Sequence, residues 1–332
     1  MKLFQKNLLV LIFGTVFFWS CSKSDYQRPV PPPPSGFKGK VITNLVYANS
    51  RNWVGQNQDL ALDIYFPTTE IPTTRYPLIV FFHGGGYITG DKEISKDECE
   101  GLASKGFIVA TVNYRLGYRQ NSRDSCDEST LPGIYAAFYR GQQDARASLR
   151  YLVANADKYA IDTSWIFIEG PSAGAGMALG LAYYTQDTLN HYLPGIADTL
   201  GLLDNSGNNL KTTYSFKGIG SMWGGLLFSD AVITSANAIP AIFFHGELDG
   251  IDPWDVGLLF TCDNFPLHYG SKALYDRLIS FGVPSVAHID PLAGHGIYDG
   301  TFNETNIACF FKGLMTKQPQ TGYYTTKVPN CK

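Results

Sequence analysis

Little net charge and no basic cluster characterise this sequence. Its 26 Lys and Arg stand against 29 Asp and Glu, which gives a formal net charge of −3 at pH 7 over 332 residues. A nucleic-acid-binding surface usually needs a basic patch, so the charge pattern argues against a nucleic-acid partner. Hydrophobic residues make up 45% of the chain and charged residues 17%. That balance is typical of a globular protein and excludes a wholly disordered chain.

Metal-ligand spacing is also missing. None of the six Cys forms a CxxC pair or stands at a zinc-like spacing from a His, so we expect no metal site. No internal repeat is visible in the sequence either.

The apolar run Leu8–Trp19 is too short to span a membrane, which takes roughly 20 residues as a helix. Lys2 and Lys6 precede it, and Ser20-Cys21 follows. This order resembles a bacterial lipoprotein signal, in which cleavage occurs before the Cys and a lipid is attached to it. We expect residues 1–20 to be a signal peptide and lipidated Cys21 to anchor the exported chain to a bacterial membrane, on its periplasmic or cell-surface side. The alternative is an ordinary secretory peptide with a chance Cys.

A polar, proline-rich segment, SKSDYQRPVPPPPSG, follows Cys21. Its composition predicts an extended tether over residues 21–37 and not a folded element. The remaining residues, 38–332, are expected to form one folded domain.

Five further cysteines would lie in an oxidising compartment after export, where disulfides are stable. Because five is odd, at least one thiol stays free or pairs elsewhere. Proximity in the sequence suggests that Cys99 pairs with Cys126, and more weakly that Cys262 pairs with Cys309 or Cys331. The alternative is that some of them are simply small buried apolar residues.

Buried strand-like segments alternate with helical ones along the domain. This alternation predicts an α/β fold, with a mostly parallel central sheet and helices on both faces. Two antiparallel edge strands are expected first, over Val41–Ala48 and Leu60–Phe66. The further predicted strands are Leu78–Phe82, Phe107–Val112, Trp165–Ile168, Phe216–Ser221, Ala241–Phe244 and Val286–Ile289. The predicted helices are Lys96–Lys105 with Gly106 as its cap, Ala136–Ala156, Ala173–Tyr184, Lys272–Phe281 and Glu304–Met315.

Three longer stretches, Gly117–Gly133, Asn190–Thr213 and Trp254–Tyr269, are typical of insertions. We expect them to lie over the carboxyl edge of the sheet, where α/β proteins place their binding clefts. Four aromatic residues could line such a cleft and equally could belong to the core: Tyr87, Trp223, Trp254 and Tyr298.

The stretch Gly170-Pro171-Ser172-Ala173-Gly174 lies between a predicted strand and a predicted helix. A sharp turn there would present the Ser172 hydroxyl as a nucleophile, and the turn needs small residues at positions two before and two after it. The pattern G-x-S-x-G fits. The alternative is a tight glycine turn in which Ser172 caps the helix.

A second glycine-rich stretch, His83-Gly84-Gly85-Gly86, follows the predicted strand Leu78–Phe82. Backbone N–H groups in such a loop can stabilise the oxyanion of a tetrahedral intermediate. We expect the N–H groups of Gly84, Gly85 and Ala173 to form an oxyanion hole. The alternative is a plain glycine-rich turn.

These motifs together resemble the α/β-hydrolase carboxylesterases with an HGGG motif, the hormone-sensitive-lipase-like group. The similarity runs from about Val41 to Met315 and is carried, in order, by VFFHGGGYITGDK, VATVNYRL, GQQDARASLRYLVANADKYAIDTSWIFIEGPSAGA and IPAIFFHGELDGIDP. Glu169 and Pro171 depart from the family pattern around the serine, as do the insertions, and these departures leave the substrate class open.

The family's triad order of Ser, then acid, then His directs attention to HGELDGIDP for the acid. Asp249 matches the family position, and Glu247, Asp252 and Asp255 are rivals. Such a carboxylate would hold the base imidazole in its working tautomer.

His295 is the predicted base, because LAGHGIYDG forms a loop after the last predicted strand. His268 lies in an insertion and His288 inside a strand, so both are weaker candidates. His83, His245 and Asp144 are expected to be structural and to carry no chemistry.

The resemblance implies a serine carboxylesterase that hydrolyses short-acyl esters through an acyl-enzyme, without a metal or organic cofactor. Its partner would be a small-molecule or carbohydrate-linked ester, and it would meet a membrane only through a lipid anchor. One alternative is a serine peptidase of the same fold, with Glu169 as an amine anchor, although a partly buried structural carboxylate suits Glu169 better. The other is a catalytically silent binding module, against which the complete set of Ser172, Asp249 and His295 argues.

Overall fold

A nine-stranded sheet forms the centre of the described chain. The structure is a computed structural model that describes residues 38–69, 74–120 and 126–331, all within a single compact unit. The predicted signal peptide, the predicted tether and Cys21 lie outside the described residues.

The order of strands in the large sheet is β1-β2-β4-β3-β5-β6-β8-β11-β12. The first strand pairs antiparallel with the second, and the second pairs antiparallel with the fourth; every other pairing is parallel. The strands are β1 (Val41–Arg51), β2 (Asn57–Tyr65), β3 (Tyr76–Phe82), β4 (Ile108–Val112), β5 (Ile161–Pro171), β6 (Phe216–Met222), β8 (Ala241–Gly246), β11 (Ser285–Asp290) and β12 (Gly322–Tyr324).

A small antiparallel sheet accompanies the large one. It has the order β7-β10-β9, with β7 (Leu226–Leu227), β9 (Val256–Leu258) and β10 (Leu267–Tyr269). Two of its three strands come from the predicted insertion Trp254–Tyr269, which is therefore a structured element and not a loose loop.

Helices cover both faces of the large sheet. They are α1 (Lys96–Ser104), α2 (Leu131–Ala154), α3 (Ala156–Tyr159), α4 (Ala173–Tyr183), α5 (Gln186–Tyr192), α6 (Ile196–Leu200), α7 (Ser271–Ser280) and α8 (Gly300–Met315). Leu78, Val80 and Phe82 of β3 point into the core shared with α2, α4 and α7, whereas Ile79 and Phe81 point into the core shared with α1 and α8. This alternation follows from the two-residue period of a strand. None of the helices in the described ranges is both long and apolar enough to cross a membrane.

The predicted elements are all present, with shifted ends. The largest shift is in α2, which begins at Leu131 and not at Ala136, because Pro132 occupies the first turn, where a missing N–H costs nothing. Gly106, with φ +97°, follows α1 as expected.

The C-terminal part of the predicted insertion Asn190–Thr213 packs against β1 and α2. Its Asn208 amide donates to the backbone carbonyls of Tyr47 and Ala147, and Arg150 donates to the carbonyl of Ser206.

Both suggested disulfide pairings are wrong. The bonds are Cys126–Cys262 and Cys309–Cys331, and Cys99, on α1, is a free, buried thiol. One free cysteine agrees with the odd number, five, of cysteines that follow Cys21. The pairing Cys126–Cys262 joins residues 136 positions apart and connects the Gly117–Gly133 and Trp254–Tyr269 segments. Proximity along the chain could not indicate this pair, because the fold brings the two segments together.

Candidate active site

Ser172 lies on a strained turn between β5 and α4. Its φ of 53° and ψ of −124° are unusual for any residue except Gly. Its N–H donates to the carbonyl of Met222 at 2.8 Å, which fixes the turn to the end of β6. The Ser172 hydroxyl does not cap the helix. The alternative of a helix-capping serine is therefore wrong.

Gly170 and Gly174 show why this turn needs small residues. A Cβ added to either glycine would collide with the carbonyl oxygen of Phe82 at the end of β3. The absence of side chains at both positions lets the turn pack directly against the HGGG loop that follows β3.

Ser172, His295 and Asp249 form one hydrogen-bonded chain. The Oγ of Ser172 lies 2.8 Å from Nε2 of His295, and Nδ1 of His295 lies 2.8 Å from Oδ2 of Asp249. The Asp249 side chain is fully buried, whereas that of His295 is 22% exposed. Ser172 and His295 are 123 residues apart in the sequence, and Asp249 and His295 are 46 residues apart.

Asp249 has further donors besides His295. Its Oδ1 accepts from the N–H groups of Ile251 at 2.8 Å and Asp252 at 3.1 Å. Burial by itself would raise the pKa of this carboxyl, but the hydrogen bonds from His245 and His295 outweigh it and hold the pKa well below its usual range. Asp249 is thus held as a carboxylate.

His245 is the residue that the sequence analysis undervalued. Its Nε2 lies 3.1 Å from Oδ2 of Asp249 and 3.0 Å from the carbonyl oxygen of Asp252, and its Nδ1 lies 2.8 Å from Oγ of Ser271. Because both neighbours of Nε2 are acceptors, Nε2 carries the proton. His245 therefore orients the carboxylate that orients His295. The four-residue spacing between His245 and Asp249 does not by itself predict this contact.

The HGGG loop lies against the serine turn. A Cβ built on Gly84 would be 3.5 Å from Cβ of Ser172. Ala173 is the first residue of α4, where helical N–H groups have no partner within the helix. The N–H groups of Gly84, Gly85 and Ala173 have no backbone acceptor within the described ranges.

His83 supports this loop. Its Nδ1 lies 2.7 Å from the Gly84 carbonyl, and its ring stacks on Tyr114 at 4.4 Å between centroids. The Tyr114 hydroxyl donates to the His83 carbonyl at 2.7 Å. Asp144 forms a buried ion pair with Arg115 at 2.7 Å.

The other candidate residues do not join the hydrogen-bonded chain. Asp249, and not Glu247 or Asp255, bonds to His295. His288 is buried between the rings of Phe244 and Tyr324, and burial lowers its pKa to about 4. Asp252 and His268 are different, because both line a pocket beside Ser172.

That pocket is narrow, with a free volume of about 50 Å³. Two of the three predicted insertions contribute to it, through Tyr118 from the first and Leu259, Phe260 and His268 from the third. Of the four aromatic residues considered, Tyr87 lines the pocket, whereas Trp223, Trp254 and Tyr298 pack in the hydrophobic cores. Tyr118 and Phe260 were missed, because nothing in their local sequence distinguishes a pocket position.

No group of three or more His, Cys, Asp or Glu side chains within residues 38–69, 74–120 and 126–331 is arranged to hold a metal ion.

Glu169 is fully buried in β5, not partly buried as expected, and it does not line the pocket. Neither of its carboxylate oxygens has a hydrogen-bond partner among the described residues. Burial raises its pKa well above the usual range, and the charges of Glu304 and Glu98 raise it further. The pKa of Glu304 is itself raised to about 8, chiefly by burial. Glu169 is therefore held as a neutral acid.

We expect Glu169→Gln to stabilise the protein at alkaline pH. A carboxyl whose pKa in the folded state lies above its unfolded value of about 4.3 stays protonated in the folded protein at pH values between the two. Over that pH range the free energy of unfolding of the wild type falls by about 1.4 kcal/mol per pH unit. The neutral amide removes this loss. Melting temperatures of the two proteins should be similar near about pH 4 and should diverge by several degrees near about pH 8. Glu128→Gln, at an exposed position, is the control. A wild-type advantage at alkaline pH would contradict a neutral Glu169.

The strand order, the helices on both faces and the serine turn after β5 define the α/β-hydrolase fold. A family model described as BD-FAE matches residues 62–217, just under half of the chain. A solved structure described as a truncated carbohydrate esterase from gut microbiota has a TM-score of 0.57 at 19% identity, covering 86% of this chain and 99% of that one.

Curated relatives match over shorter stretches. A neuroligin-like protein, glit-1, from Caenorhabditis elegans is 34% identical over 142 residues, which is 42% of this chain and 18% of that protein. A fumonisin B1 esterase from Sphingopyxis macrogoltabida is 28% identical over 198 residues, which is 55% of this chain and 36% of that protein. The chain thus spans well under half the length of these relatives.

Proposed function

We propose that this chain is a serine carboxylesterase that hydrolyses short-acyl carboxylic esters, including acyl groups on carbohydrates. The observation that carries the proposal is the hydrogen-bonded chain from Ser172 through His295 to Asp249. Similarity to esterases, among them a carbohydrate esterase, supports the same reaction class.

The mechanism follows from these contacts. Nε2 of His295 accepts the proton as the Ser172 oxygen attacks the ester carbonyl, and Asp249 stabilises the imidazolium that forms. The N–H groups of Gly84, Gly85 and Ala173 donate to the oxyanion. His295 then gives its proton to the departing alcohol, and water hydrolyses the acyl-enzyme along the reverse proton path.

The pocket beside Ser172 favours a short acyl group. The acyl group stays bound to Ser172 while the alcohol must leave, so the narrow pocket suits the acyl group. A chain of a few carbons would fill this space.

We also propose export and lipid attachment at Cys21. The order of residues 1–21 supports this, and so do the two disulfides, which are rare in reducing compartments. The alternative of a serine peptidase relied on Glu169 as an anchor for the substrate amine. Glu169 is fully buried and does not line the pocket, which argues against that role.

A series of 4-nitrophenyl esters and acetylated sugars tests the proposal. We expect kcat/KM to be highest for acetyl to butyryl esters and to fall by at least about tenfold at octanoyl, because the longer chain cannot desolvate inside the pocket. A maximum at octanoyl or beyond would refute the short-acyl assignment. Cleavage of aminoacyl amides without cleavage of esters would indicate a peptidase, and no turnover at all would indicate a silent module.

A further inference from the structure

A disulfide joins two segments of the chain that both line the pocket beside the nucleophile. Cys126 lies between Tyr118 and Ile134 in the sequence, and both of those residues line the pocket. Cys262, its partner, lies two residues after Phe260, which lines the pocket as well. The bond therefore connects one part of the pocket wall covalently with another.

Phe260 has a backbone conformation that is unfavourable for an aromatic residue. Its φ is 57° and its ψ is 16°, and the φ of the next residue, Thr261, is 58°. A left-handed conformation is uncommon for residues other than Gly, and it persists where the surrounding structure enforces it. Two such residues in succession, directly before Cys262, indicate a segment that is held in place by its contacts.

The contacts of this segment identify what holds it. The N–H of Phe260 donates to the carbonyl of Ile251 at 2.8 Å, and the side-chain amide of Asn264 donates to the carbonyl of Cys126 at 3.3 Å. Each of these neutral hydrogen bonds contributes little net stability, because water offers the same groups an alternative. The disulfide at Cys262 is different, because it persists in an oxidising compartment and does not open thermally.

The place of Phe260 bears on the size of the pocket. Without the disulfide, Phe260 and Thr261 could relax to an ordinary right-handed or extended conformation, and the ring of Phe260 would then leave the pocket wall. The pocket has a free volume of about 50 Å³, so the loss of one aromatic ring from its lining would enlarge it by a large fraction. A larger pocket would accept longer acyl chains.

We propose that the Cys126–Cys262 disulfide determines acyl-chain specificity, because it holds Phe260 in the pocket wall and thereby limits the length of the acyl group that the pocket accepts. The inference rests on the proposed esterase activity and assigns its short-acyl preference to a covalent bond between two distant segments.

The ratio of kcat/KM for 4-nitrophenyl butyrate to that for 4-nitrophenyl octanoate tests the inference. We expect a ratio of at least about ten in the wild type and of about three or less in the double variant Cys126→Ala/Cys262→Ala. Phe260→Ala keeps the disulfide but removes the ring, and it should lower the ratio to a similar value. Titration with an organophosphate counts the competent Ser172 in each protein, and a ratio of two rates on one protein is independent of the amount that folds.

Cys309→Ala/Cys331→Ala is the matched control, because it removes the other disulfide of the described residues, and neither of its cysteines lines the pocket. We expect this variant to keep the wild-type ratio. Treatment of the same variant with dithiothreitol gives a second measurement on protein that has already folded. The two thiols of the reagent transfer two electrons and two protons to the Cys126–Cys262 bond and form a cyclic disulfide. The ratio should then fall, and reoxidation after removal of the reagent should restore it.

The outcomes separate the inference from the proposed function. A ratio that stays at the wild-type value in Cys126→Ala/Cys262→Ala or in Phe260→Ala would overturn the inference alone, and so would an equal fall in the control variant. A wild-type maximum at octanoyl would overturn the short-acyl assignment together with the inference. No hydrolysis of any ester would overturn the proposed function as well.

Discussion

Ser172→Ala is expected to lower kcat for a short-acyl ester by about 10⁵–10⁶-fold, the scale found when a triad nucleophile is removed. Without Oγ no acyl-enzyme can form, and only the oxyanion hole and substrate binding remain to assist direct attack by water. The measurement is nitrophenolate release from 4-nitrophenyl acetate at saturating ester, with enzyme concentrations high enough to follow the residual rate.

Alanine at this position keeps the fold, because the backbone strain of the turn is the same for Ala and Ser. The melting temperature should therefore change little. Ser280→Ala, at an exposed helix end where the hydroxyl donates to the Arg277 carbonyl, is the matched control and should keep full activity. Retention of more than about one per cent of the wild-type rate by Ser172→Ala would show that another group attacks the ester.

Asp249→Asn is expected to lower kcat by about 10⁴-fold with little change in KM. The amide keeps the shape of the side chain but can present N–H donors to Nδ1 of His295. His295 would then carry its proton on Nε2, which faces Ser172 and could no longer accept the serine proton. Steady-state kinetics on a short-acyl ester separates the loss of kcat from any change in KM.

Two controls bracket this prediction. Glu247→Gln alters a neighbouring carboxylate that makes no bond to His295, and we expect it to be nearly silent. With the amide nitrogen facing His295, the amide oxygen of the Asp249→Asn variant still accepts from the N–H groups of Ile251 and Asp252. The loop should therefore remain folded, and near-ultraviolet circular dichroism should match the wild type. A loss of less than about tenfold in Asp249→Asn would mean that Asp249 does not set the tautomer of His295.

The parts of the site that the sequence predicted are those with local signatures. The serine turn and the HGGG loop each combine a glycine pattern with a flanking strand, so their geometry is encoded within a few residues. Asp249 and His295 required the chain order of the resembled family as well. The alternation of buried strands and helices similarly predicted the central sheet, because each buried strand depends mainly on its own composition.

Features that arise from contacts between distant segments could not be predicted. The Cys126–Cys262 bond and the β7-β10-β9 sheet form only once the insertions fold over one another. The contact of His245 with Asp249, and the position of Asp252 and His268 in the pocket, depend on side-chain directions within loops. Those directions are set by tertiary packing and not by spacing in the sequence.

Covalent trapping of the nucleophile tests the central claim most directly. The full chain is treated with paraoxon, and peptide mass spectrometry locates the diethylphosphoryl group. We expect a single adduct on Ser172 that forms as esterase activity is lost, no adduct in Ser172→Ala, and much slower labelling in Asp249→Asn. Complete inactivation with the phosphoryl group on a different residue, or an unlabelled Ser172 in fully active protein after prolonged treatment, would contradict the assignment.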